Sequence, residues 1–295
     1  MHSTETAVLK VLADILLALD SDNLAMLTLL DLSAAFDSVD HTLLERLQKS
    51  YGLSGQVLNW FASYLCGRVQ LVRTSAACST SSAVLYGVPQ GSVFGPILFL
   101  SYTADLLQLV KRHQLIPHAY VDDTQIYGFF RPADFADLCD KVSVCVDEVL
   151  AWMASNRLLL NHAKTEVLWC ISSRRQHQIQ SAGLVRIGTT DVQPVSSIHD
   201  LGVYIDADTS MRTNVTAVAR ACSAALRQIR SVRRSLSRHA LLTLVRALII
   251  RRTSLRACTG HETSTLHIVC ALLTQPVRPG TTSMVPSTRR STNTL

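Results

Sequence analysis

Residues 118–127 have the sequence HAYVDDTQIY, in which strand-forming residues flank two adjacent aspartates. This pattern predicts two short strands joined at a turn that contains Asp122 and Asp123. Further upstream, a nearly continuous apolar run from Leu24 to Leu32 is interrupted at Asp31. Such a run predicts a buried strand that carries the Asp31 carboxylate at its C-terminal end. We therefore expect carboxylates at the ends of two separate strands.

The rest of the first 210 residues alternates between helical and strand patterns. Residues 86–96, YGVPQGSVFGP, contain two prolines and three glycines and are predicted to form a loop. Apolar residues at helical spacing predict helices over Thr4–Leu19, His41–Lys49, Gln56–Leu65, Ile97–Val110 and Asp134–Ser155. Strands are predicted over Gln70–Val72, Ala83–Tyr86, Glu166–Ile171 and Asp200–Ile205.

Composition excludes several classes of protein. An apolar fraction of 48% and a charged fraction of 17% in 295 residues are enough for a large core, which excludes a disordered chain. The eight cysteines are too dilute for a disulfide scaffold and contain no CxxC pair for a zinc site. The N-terminal residues lack the basic start of a signal peptide, and charges interrupt their leucines. We therefore expect an intracellular protein in a reducing compartment, with no membrane partner.

Charge is distributed unevenly along the chain. Residues 1–170 carry 11 Lys and Arg against 17 Asp and Glu, whereas residues 171–250 carry 11 against 4 and residues 251–295 carry 6 against 1. Between residues 215 and 236, apolar residues recur every three or four positions and arginines lie off this stripe, which predicts a helix with a basic face. Such a face favours a polyanion such as nucleic acid, and a merely solvated surface is the alternative. The last part of the chain, rich in Ser, Thr, Pro and Arg, is predicted to be disordered.

The clustered carboxylates suggest a metal site. Carboxylates at one site repel each other unless cations neutralise them, and Mg²⁺ prefers oxygen ligands together with substrate phosphates. Two such ions about 3.5–4 Å apart can activate an attacking oxygen and stabilise a leaving oxygen at phosphorus. The structural alternatives are ordinary turn composition for the Asp-Asp pair and a helix cap for Asp31.

Five segments together resemble a known family. They are LTLLDLSAAFDSVDHTLL (27–44), GVPQGSVFGPILF (87–99), AYVDDTQIY (119–127), NRLLLNHAKTEVLW (156–169) and DLGVYID (200–206). In this order and at these spacings they resemble the consecutive palm motifs of the reverse transcriptases of non-LTR, LINE-type retrotransposons, most like the jockey-like groups. The resemblance implies an α+β fold, the palm of a right-handed polymerase, with a split βαβ sheet and helices on one face.

The resemblance also implies roles for individual residues. Asp31 and Asp122 match the ligands of two Mg²⁺ ions, with Asp123 beside them and Mn²⁺ as a substitute. Lys164 matches a lysine that donates a proton or positive charge to departing pyrophosphate. Phe36 matches an aromatic steric gate that favours deoxynucleotides. Gln90 and Gly91 match a loop that lies against the incoming nucleotide and the template. Leu201 and Gly202 match a hairpin that grips the primer end.

The family pattern divides the chain into three parts. These are a palm with a remnant of the fingers over residues 1–210, the start of a basic helical thumb over residues 211–250, and a divergent tail over residues 251–295. Most of the fingers is expected to be missing. Two positions depart from the pattern. Val121 stands where LINE-type enzymes usually have Ala, and Phe94 replaces a Leu and is expected to add bulk beside the nucleotide site.

Two functions remain open at this point. In the first, the chain is an RNA-directed DNA polymerase that extends a DNA primer on an RNA template with deoxynucleoside triphosphates (dNTPs), which implies access to the nucleus. In the second, it is a catalytically inactive retroelement remnant that at most binds nucleic acid through its basic C-terminal part. The intact carboxylates and Lys164 favour the polymerase. A maturase-like splicing cofactor is disfavoured because the motifs follow the LINE-type pattern so closely.

Overall fold

A computed structural model describes residues 3–172, residue 175 and residues 184–250. The α-helices are α1 (Thr4–Asp20), α2 (Leu43–Lys49), α3 (Gly55–Leu65), α4 (Phe94–Arg112), α5 (Phe135–Ser155), α6 (Arg212–Val232) and α7 (Arg238–Val245). The strands are β1 (Leu24–Leu30), β2 (Leu32–Ser33), β3 (Arg68–Gln70), β4 (Ser82–Val84), β5 (Ile116–Tyr120), β6 (Asp123–Phe130), β7 (Leu159–Leu160), β8 (Glu166–Cys170), β9 (Val185–Ile187), β10 (Thr190–Val192), β11 (Ser197–Asp200) and β12 (Val203–Asp206).

The centre of the fold is a four-stranded antiparallel sheet in the order β5-β6-β1-β8. Along the chain, α4 lies between β1 and β5, and α5 lies between β6 and β8, while β5 and β6 form a hairpin. This is a β-α-β-β-α-β arrangement, in which each helix links two strands that are not neighbours in the sheet. The predicted α+β fold with a split βαβ sheet is confirmed.

Both faces of the central sheet are covered. Met26 of β1 belongs to the buried cluster that includes α4 and α5, whereas the next strand position, Ala25, belongs to a second cluster with α1. This alternation follows from the two-residue period of a strand. The helices were predicted on one face, which holds for α4 and α5. Helix α1 lies on the opposite face, because Val8, Val11 and Ile15 form an apolar stripe that the sheet buries there.

Two predicted strand segments differ in detail from the structure. The pairing of β3 with β4 begins two residues earlier than predicted, because the Arg68 guanidinium donates hydrogen bonds to the carbonyls of Leu65 and Tyr86 and holds the strand start. The single strand predicted over Asp200–Ile205 is instead the hairpin β11–β12. It turns within that range because the backbone adopts positive φ at two consecutive residues there.

The chain divides into two compact units after Ala217. In the described part of the second unit, α6 and α7 contribute to a small core that includes Ala225, Ile229 and Val245. The helix predicted to reach residue 236 ends at Val232, because Ser237 caps a new helix by accepting a hydrogen bond from a backbone N–H. No helix in the described ranges is long and apolar enough to cross a membrane. The predicted disordered tail lies outside the described residues.

Candidate active site

Asp31 and Asp123 lie next to each other at one end of the central sheet. In the pairing of β1 with β6, Leu30 is opposite Thr124, so the next step of this register sets Asp31 opposite Asp123. Directly opposed residues of antiparallel strands point to the same face. The two strand ends that the sequence pattern singled out therefore converge.

Lys164 reaches the same place from the other side of β1. A 3₁₀ turn over His162–Lys164 precedes β8, which pairs with β1. The N–H of Asn161, at the start of this turn, donates to the carbonyl of Asp31 over 2.8 Å. The Nζ of Lys164 lies 3.4 Å from Oδ2 of Asp31. Lys164 is therefore a counter-ion of Asp31 in this conformation.

The pKa of Asp123 is raised above its ordinary value. Burial of the carboxyl is the largest cause, the negative charges of Asp122 and Asp31 add to it, and Lys164 acts in the opposite direction. Asp123 is therefore subject to repulsion from two neighbouring carboxylates and to attraction from one ammonium group. A divalent cation bound here would reduce this repulsion, so the arrangement is compatible with cation binding.

An open cavity of about 320 Å³ is lined by Asp31, Asp123 and Lys164, whereas the predicted ligand Asp122 is not among its lining residues. Its polar walls combine predicted residues with others that the sequence pattern did not mark: Asp31, Asp123, Thr124, Gln125, Lys164, Glu166 and His199. Within the residues that the structure describes, no three His, Cys, Asp or Glu side chains form a ready metal-binding cluster.

Asp122 lies with Val121 in the two-residue turn between β5 and β6. Val121 has a φ of 60°. This left-handed conformation is an outlier for a β-branched residue, and strain of this kind costs about 1–3 kcal/mol. A strained turn thus holds Asp122 directly before the half-buried Asp123.

Replacing Val121 with Gly is expected to raise the free energy of unfolding by about 1 kcal/mol. Glycine adopts this conformation without strain, and only part of the gain is lost to its greater freedom in the unfolded chain. Urea denaturation of the two proteins measures the difference. The matched control is Val69→Gly, at an exposed strand position without positive φ, which is expected to destabilise the chain. A Val121→Gly chain less stable than the wild type would contradict the assignment of strain.

Phe36 contacts the loop that precedes α4. The Val88 N–H donates to the Phe36 carbonyl over 2.8 Å. Gly87 has a φ of 83°, and a Cβ at this position would lie 2.9 Å from backbone atoms of Phe36 and Asp37, so only glycine allows this approach. The Phe36 ring is half-buried, and its centre lies 5.5 Å from that of Phe99. The loop and the aromatic ring therefore form one local structure.

Gln90 and Gly91 form the centre of an exposed turn. The Ser92 N–H donates to the Pro89 carbonyl over 3.3 Å, and Gly91 has a φ of 77°, as a type II turn requires at its third position. The Ser92 hydroxyl donates to the Pro89 carbonyl over 2.6 Å and accepts from the Gly95 N–H over 2.9 Å, which ties the turn to the start of α4. Both predicted residues are exposed, so a ligand can reach them.

Phe94 follows this turn at the start of α4. Its ring joins three aromatic side chains of α3, with centre-to-centre distances of 5.4 Å to Trp60, 6.1 Å to Phe61 and 6.0 Å to Tyr64. Edge-to-face contacts at such distances are favourable. The larger side chain is therefore accommodated against α3.

Leu201 and Gly202 form the tip of the hairpin β11–β12. Their φ values of 45° and 89° are both positive, as in a type I′ turn. His199, near the end of β11, lines the carboxylate cavity and contacts Tyr204, with ring centres 4.5 Å apart and the rings tilted by 37°. The hairpin predicted to grip a primer end therefore borders the cavity.

The sequence pattern did not single out Gln125 and Asp200, which are both almost fully buried beside the cavity. The Gln125 Nε2 donates to Oδ1 of Asp200 over 2.7 Å, and its Oε1 lies 2.9 Å from Nδ1 of His118. Oδ2 of Asp200 is buried and has no hydrogen-bond partner among the described residues. Gln125 follows Asp123 and Thr124 at the polar start of β6, so the sequence contained no isolated polar residue that could have revealed it.

The Asp200 carboxyl is expected to make the chain less stable as the pH rises from about 4 to about 6. Burial, the largest cause, raises the pKa of Asp200 to about 6; the bond from Gln125 opposes this and the charge of Asp123 adds to it. The raised pKa means that the native chain binds this proton more tightly than the unfolded chain, so the contribution is full below about pH 4 and is lost as the pH rises through about 6.

An Asp200→Asn variant lacks this titration. Relative to the wild type, its free energy of unfolding is expected to gain about 3 kcal/mol between pH 4 and pH 7.5, from a shift of about two pKa units. Urea denaturation across this pH range measures the two slopes, and equal slopes would contradict the prediction.

Comparison with known proteins gives a family and two relatives. The family profile "Reverse transcriptase (RNA-dependent DNA polymerase)" matches residues 2–205. The chain is similar to the probable RNA-directed DNA polymerase from transposon X-element of Drosophila melanogaster, with 36% identity over 145 residues, 49% of this chain and 14% of that protein. It is also similar to the RNA-directed DNA polymerase from mobile element jockey of Drosophila funebris, with 25% identity over 222 residues, 74% of this chain and 23% of that protein. The chain thus spans less than a quarter of the length of either relative.

Similar solved structures include two telomerases. The apo telomerase of Candida tropicalis truncated from its C-terminal domain has a TM-score of 0.46 and 15% identity, over 68% of this chain and 38% of that one. The telomerase of Candida albicans in complex with a fragment of telomeric RNA has a TM-score of 0.48 and 12% identity, over 92% of this chain and 52% of that one. These likenesses concern the fold alone, and no residue role is transferred from them.

Proposed function

This chain belongs to the reverse transcriptase (RNA-dependent DNA polymerase) family, and from this we propose that it catalyses RNA-directed DNA synthesis. In the proposed reaction, the 3′-OH of a DNA primer paired to an RNA template attacks the α-phosphorus of a dNTP, and pyrophosphate leaves. The observation that carries the proposal is the convergence of Asp31, Asp123 and Lys164 in one open cavity. The transposon-encoded relatives support an origin in a retrotransposon.

Members of this family depend on divalent metal ions, and we infer that Asp31, Asp122 and Asp123 would hold Mg²⁺, with Mn²⁺ as a substitute. Two such ions would activate the primer hydroxyl and stabilise charge on the leaving phosphate. The carboxylates offer the anionic oxygen ligands that these ions prefer. The pKa of Asp123 is raised by burial and by the negative charges of its two neighbours, and a bound cation would offset those charges.

Lys164 is proposed to serve the leaving group. Its ion pair with Asp31 has a distance of 3.4 Å and its side chain is 68% exposed, so the pair contributes little to stability. We infer that Lys164 exchanges Asp31 for the departing pyrophosphate, to which it supplies positive charge or a proton.

The remaining predicted residues are proposed to hold the substrates. Phe36 would exclude a 2′-OH, and the exposed Gln90–Gly91 turn would contact the incoming nucleotide and the template. Hydrogen bonds between the Phe36 segment and the loop support a shared nucleotide site. Leu201 and Gly202 would hold the primer end beside the cavity.

The RNA template and DNA primer are further proposed to contact arginines in the last turns of α6 and in the 3₁₀ turn that follows it, within the predicted thumb segment. Arg227, Arg230, Arg233 and Arg234 line an open cavity of about 740 Å³ in the second unit. Positive side chains in such a cavity can neutralise backbone phosphates irrespective of sequence.

Primer extension by the purified chain tests the proposal. A DNA primer on an RNA template is expected to be extended in Mg²⁺ or Mn²⁺, and extension should disappear in the double variant Asp122→Asn/Asp123→Asn. If the folded wild-type chain gives no extension, the second candidate is favoured: a catalytically inactive remnant that at most binds nucleic acid through its basic C-terminal part.

Replacing Phe36 with Val is expected to reduce the preference for deoxynucleotides over ribonucleotides by about 10–100-fold. The smaller side chain removes a steric clash with the 2′-OH, and such clashes cost about 1–3 kcal/mol. The measurement is the ratio of extension efficiencies with dNTPs and with ribonucleotides, which does not depend on the folded fraction. Phe36→Tyr keeps the bulk and serves as the control. An unchanged ratio in Phe36→Val would exclude Phe36 as the gate.

A further inference from the structure

One buried hydrogen bond joins two hairpins of the candidate site, β5–β6 (the catalytic hairpin) and β11–β12 (the primer hairpin). The Nε2 of Gln125 in the catalytic hairpin donates to Oδ1 of Asp200 in the primer hairpin over 2.7 Å. Gln125 lies two residues after Asp123, and Asp200 lies directly before the turn Leu201–Gly202 (the primer turn). The bond therefore connects positions within two residues of a candidate catalytic carboxylate and of the primer turn.

The orientation of the Gln125 amide is fixed at both ends. Its Oε1 lies 2.9 Å from Nδ1 of His118, which is directly opposite on β5. Since Oδ1 of Asp200 accepts from the amide NH₂ group, the amide oxygen faces His118 and accepts from the Nδ1–H of that ring. Two hydrogen bonds thus link the three side chains in series: His118 donates to Gln125 within the catalytic hairpin, and Gln125 donates to Asp200 of the primer hairpin.

Other contacts secure the base of the primer hairpin. Backbone hydrogen bonds of 2.9 Å join the Val195 N–H to the Val167 carbonyl and the Ile171 N–H to the Ala207 carbonyl, at the end of the hairpin remote from its turn. Apolar residues of the hairpin also pack in the cluster that contains Tyr127. Apolar packing is non-directional, so it allows small displacements of the tip. A buried hydrogen bond opposes such displacement, because its donor and acceptor would be left unpaired.

The hydrogen bond is retained although Asp200 is costly to bury. Asp200 is 3% exposed and Gln125 is 1% exposed. Oδ2 of Asp200 has no partner among the described residues, and an unpaired buried carboxylate oxygen destabilises a fold. Buried polar groups of this kind are expected where they fix a specific arrangement.

We propose that Gln125 and Asp200 are positioning residues that hold the primer turn in a fixed place relative to the candidate catalytic carboxylates. The inference rests on the proposed polymerase function. Both side chains act through their neighbours in the chain, Gln125 through β6 and Asp200 through the primer turn. Without the bond, the turn holds the primer end less firmly, while the nucleotide site keeps its shape.

Steady-state extension with matched variants tests this proposal. Gln125→Met and Asp200→Leu remove the bond with little change in side-chain size, whereas Asp200→Asn keeps an acceptor for Gln125. Ser143→Ala is the control, because it removes a different hydrogen bond, from Ser143 Oγ to the Arg186 carbonyl. In Gln125→Met and in Asp200→Leu, the KM for the primer–template duplex is expected to rise about tenfold, with the KM for dNTP unchanged.

Three further results are expected from the same series. The double variant should show no larger rise than either single variant, because both remove one shared interaction. Asp200→Asn and Ser143→Ala should keep the wild-type KM for the duplex. Equal rises in the two KM values, or additive effects in the double variant, would overturn the proposal.

Hydrogen exchange gives a readout that needs no polymerase activity. In the substrate-free chain, the amide of Val203, which pairs with Asp200 directly after the primer turn, is expected to exchange about tenfold faster in Gln125→Met and Asp200→Leu than in the wild type, Asp200→Asn or Ser143→Ala. Unchanged exchange at this amide would overturn the proposal even in an active enzyme. If the wild type does not extend a primer, the polymerase function fails, and exchange still decides whether the bond fixes the turn.

Discussion

A chain carrying Asp31→Asn is expected to extend a primer about a thousandfold more slowly than the wild type. Asp31 lies opposite Asp123 at the end of β1 and contributes one of the negative charges that raise the pKa of Asp123. The amide keeps the shape of the side chain but removes the charge available to a cation. Loss of one electrostatic contact in an active site lowers rates by about 10²–10³-fold, and loss of metal binding adds to this. Single-turnover extension at saturating nucleotide measures the rate without a contribution from product release.

The same substitution separates catalysis from folding. Asparagine at position 31 removes repulsion from Asp123, and only the exposed ion pair with Lys164 is lost. The free energy of unfolding is therefore expected to stay equal to that of the wild type or to rise. Asp20→Asn, at the exposed end of α1, is the control and should keep the wild-type rate. A folded Asp31→Asn chain that extends as fast as the wild type would remove Asp31 from the catalytic set.

Gly87→Ala is expected to lower the free energy of unfolding by about 3 kcal/mol. Gly87 has a φ of 83°, which costs an L-residue about 1–2 kcal/mol. The new Cβ would also lie 2.9 Å from the Asp37 Cα and from the Phe36 carbonyl oxygen. Backbone atoms cannot move aside as a flexible side chain can, so overpacking adds about 1–3 kcal/mol. Urea denaturation monitored by tryptophan fluorescence measures the change.

Gly91→Ala is the matched control for this loop. Gly91 has a similar φ of 77°, but a Cβ there would meet nothing within 4 Å. Its substitution is therefore expected to cost only the conformational strain, about 1 kcal/mol. The difference between the two variants measures the close approach of the loop to the Phe36 segment. Equal losses in the two variants would show that this approach does not hold the loop in place.

Local signals were sufficient to predict the strands that carry the acidic residues. A continuous apolar run marks β1 before Asp31, and two adjacent aspartates between strand-forming residues mark the turn before β6. The apolar stripe of α1 was equally clear in the sequence. Periodicity predicts which side of a helix is apolar, but it does not predict against which face of a sheet that side packs. The location of α1 opposite α4 and α5 therefore emerged only from the fold.

Two other features depend on tertiary structure. Gln125 and Asp200 are 75 positions apart in sequence, and the pattern around Asp200 predicted a continuous strand. Leu201 is a poor residue for a left-handed turn, so its φ of 45° gave no compositional signal beyond the neighbouring Gly202. Tertiary packing overrides the local preference of Leu201, which is why the local pattern predicted a single strand where the family resemblance implied a hairpin.

The order of strands in the central sheet has a consequence for the synthesis of the chain. Strand β1 ends at Leu30, but its neighbours β6 and β8 begin only at Asp123 and Glu166. During translation, both edges of β1 therefore remain unpaired until β6 has been synthesised, and one edge remains unpaired until β8 has been synthesised. Pairings between such distant segments fold slowly, and an unpaired apolar strand is prone to aggregation meanwhile. A nascent chain interrupted before β8 would accordingly lack one neighbour of β1 and expose that edge of an apolar strand.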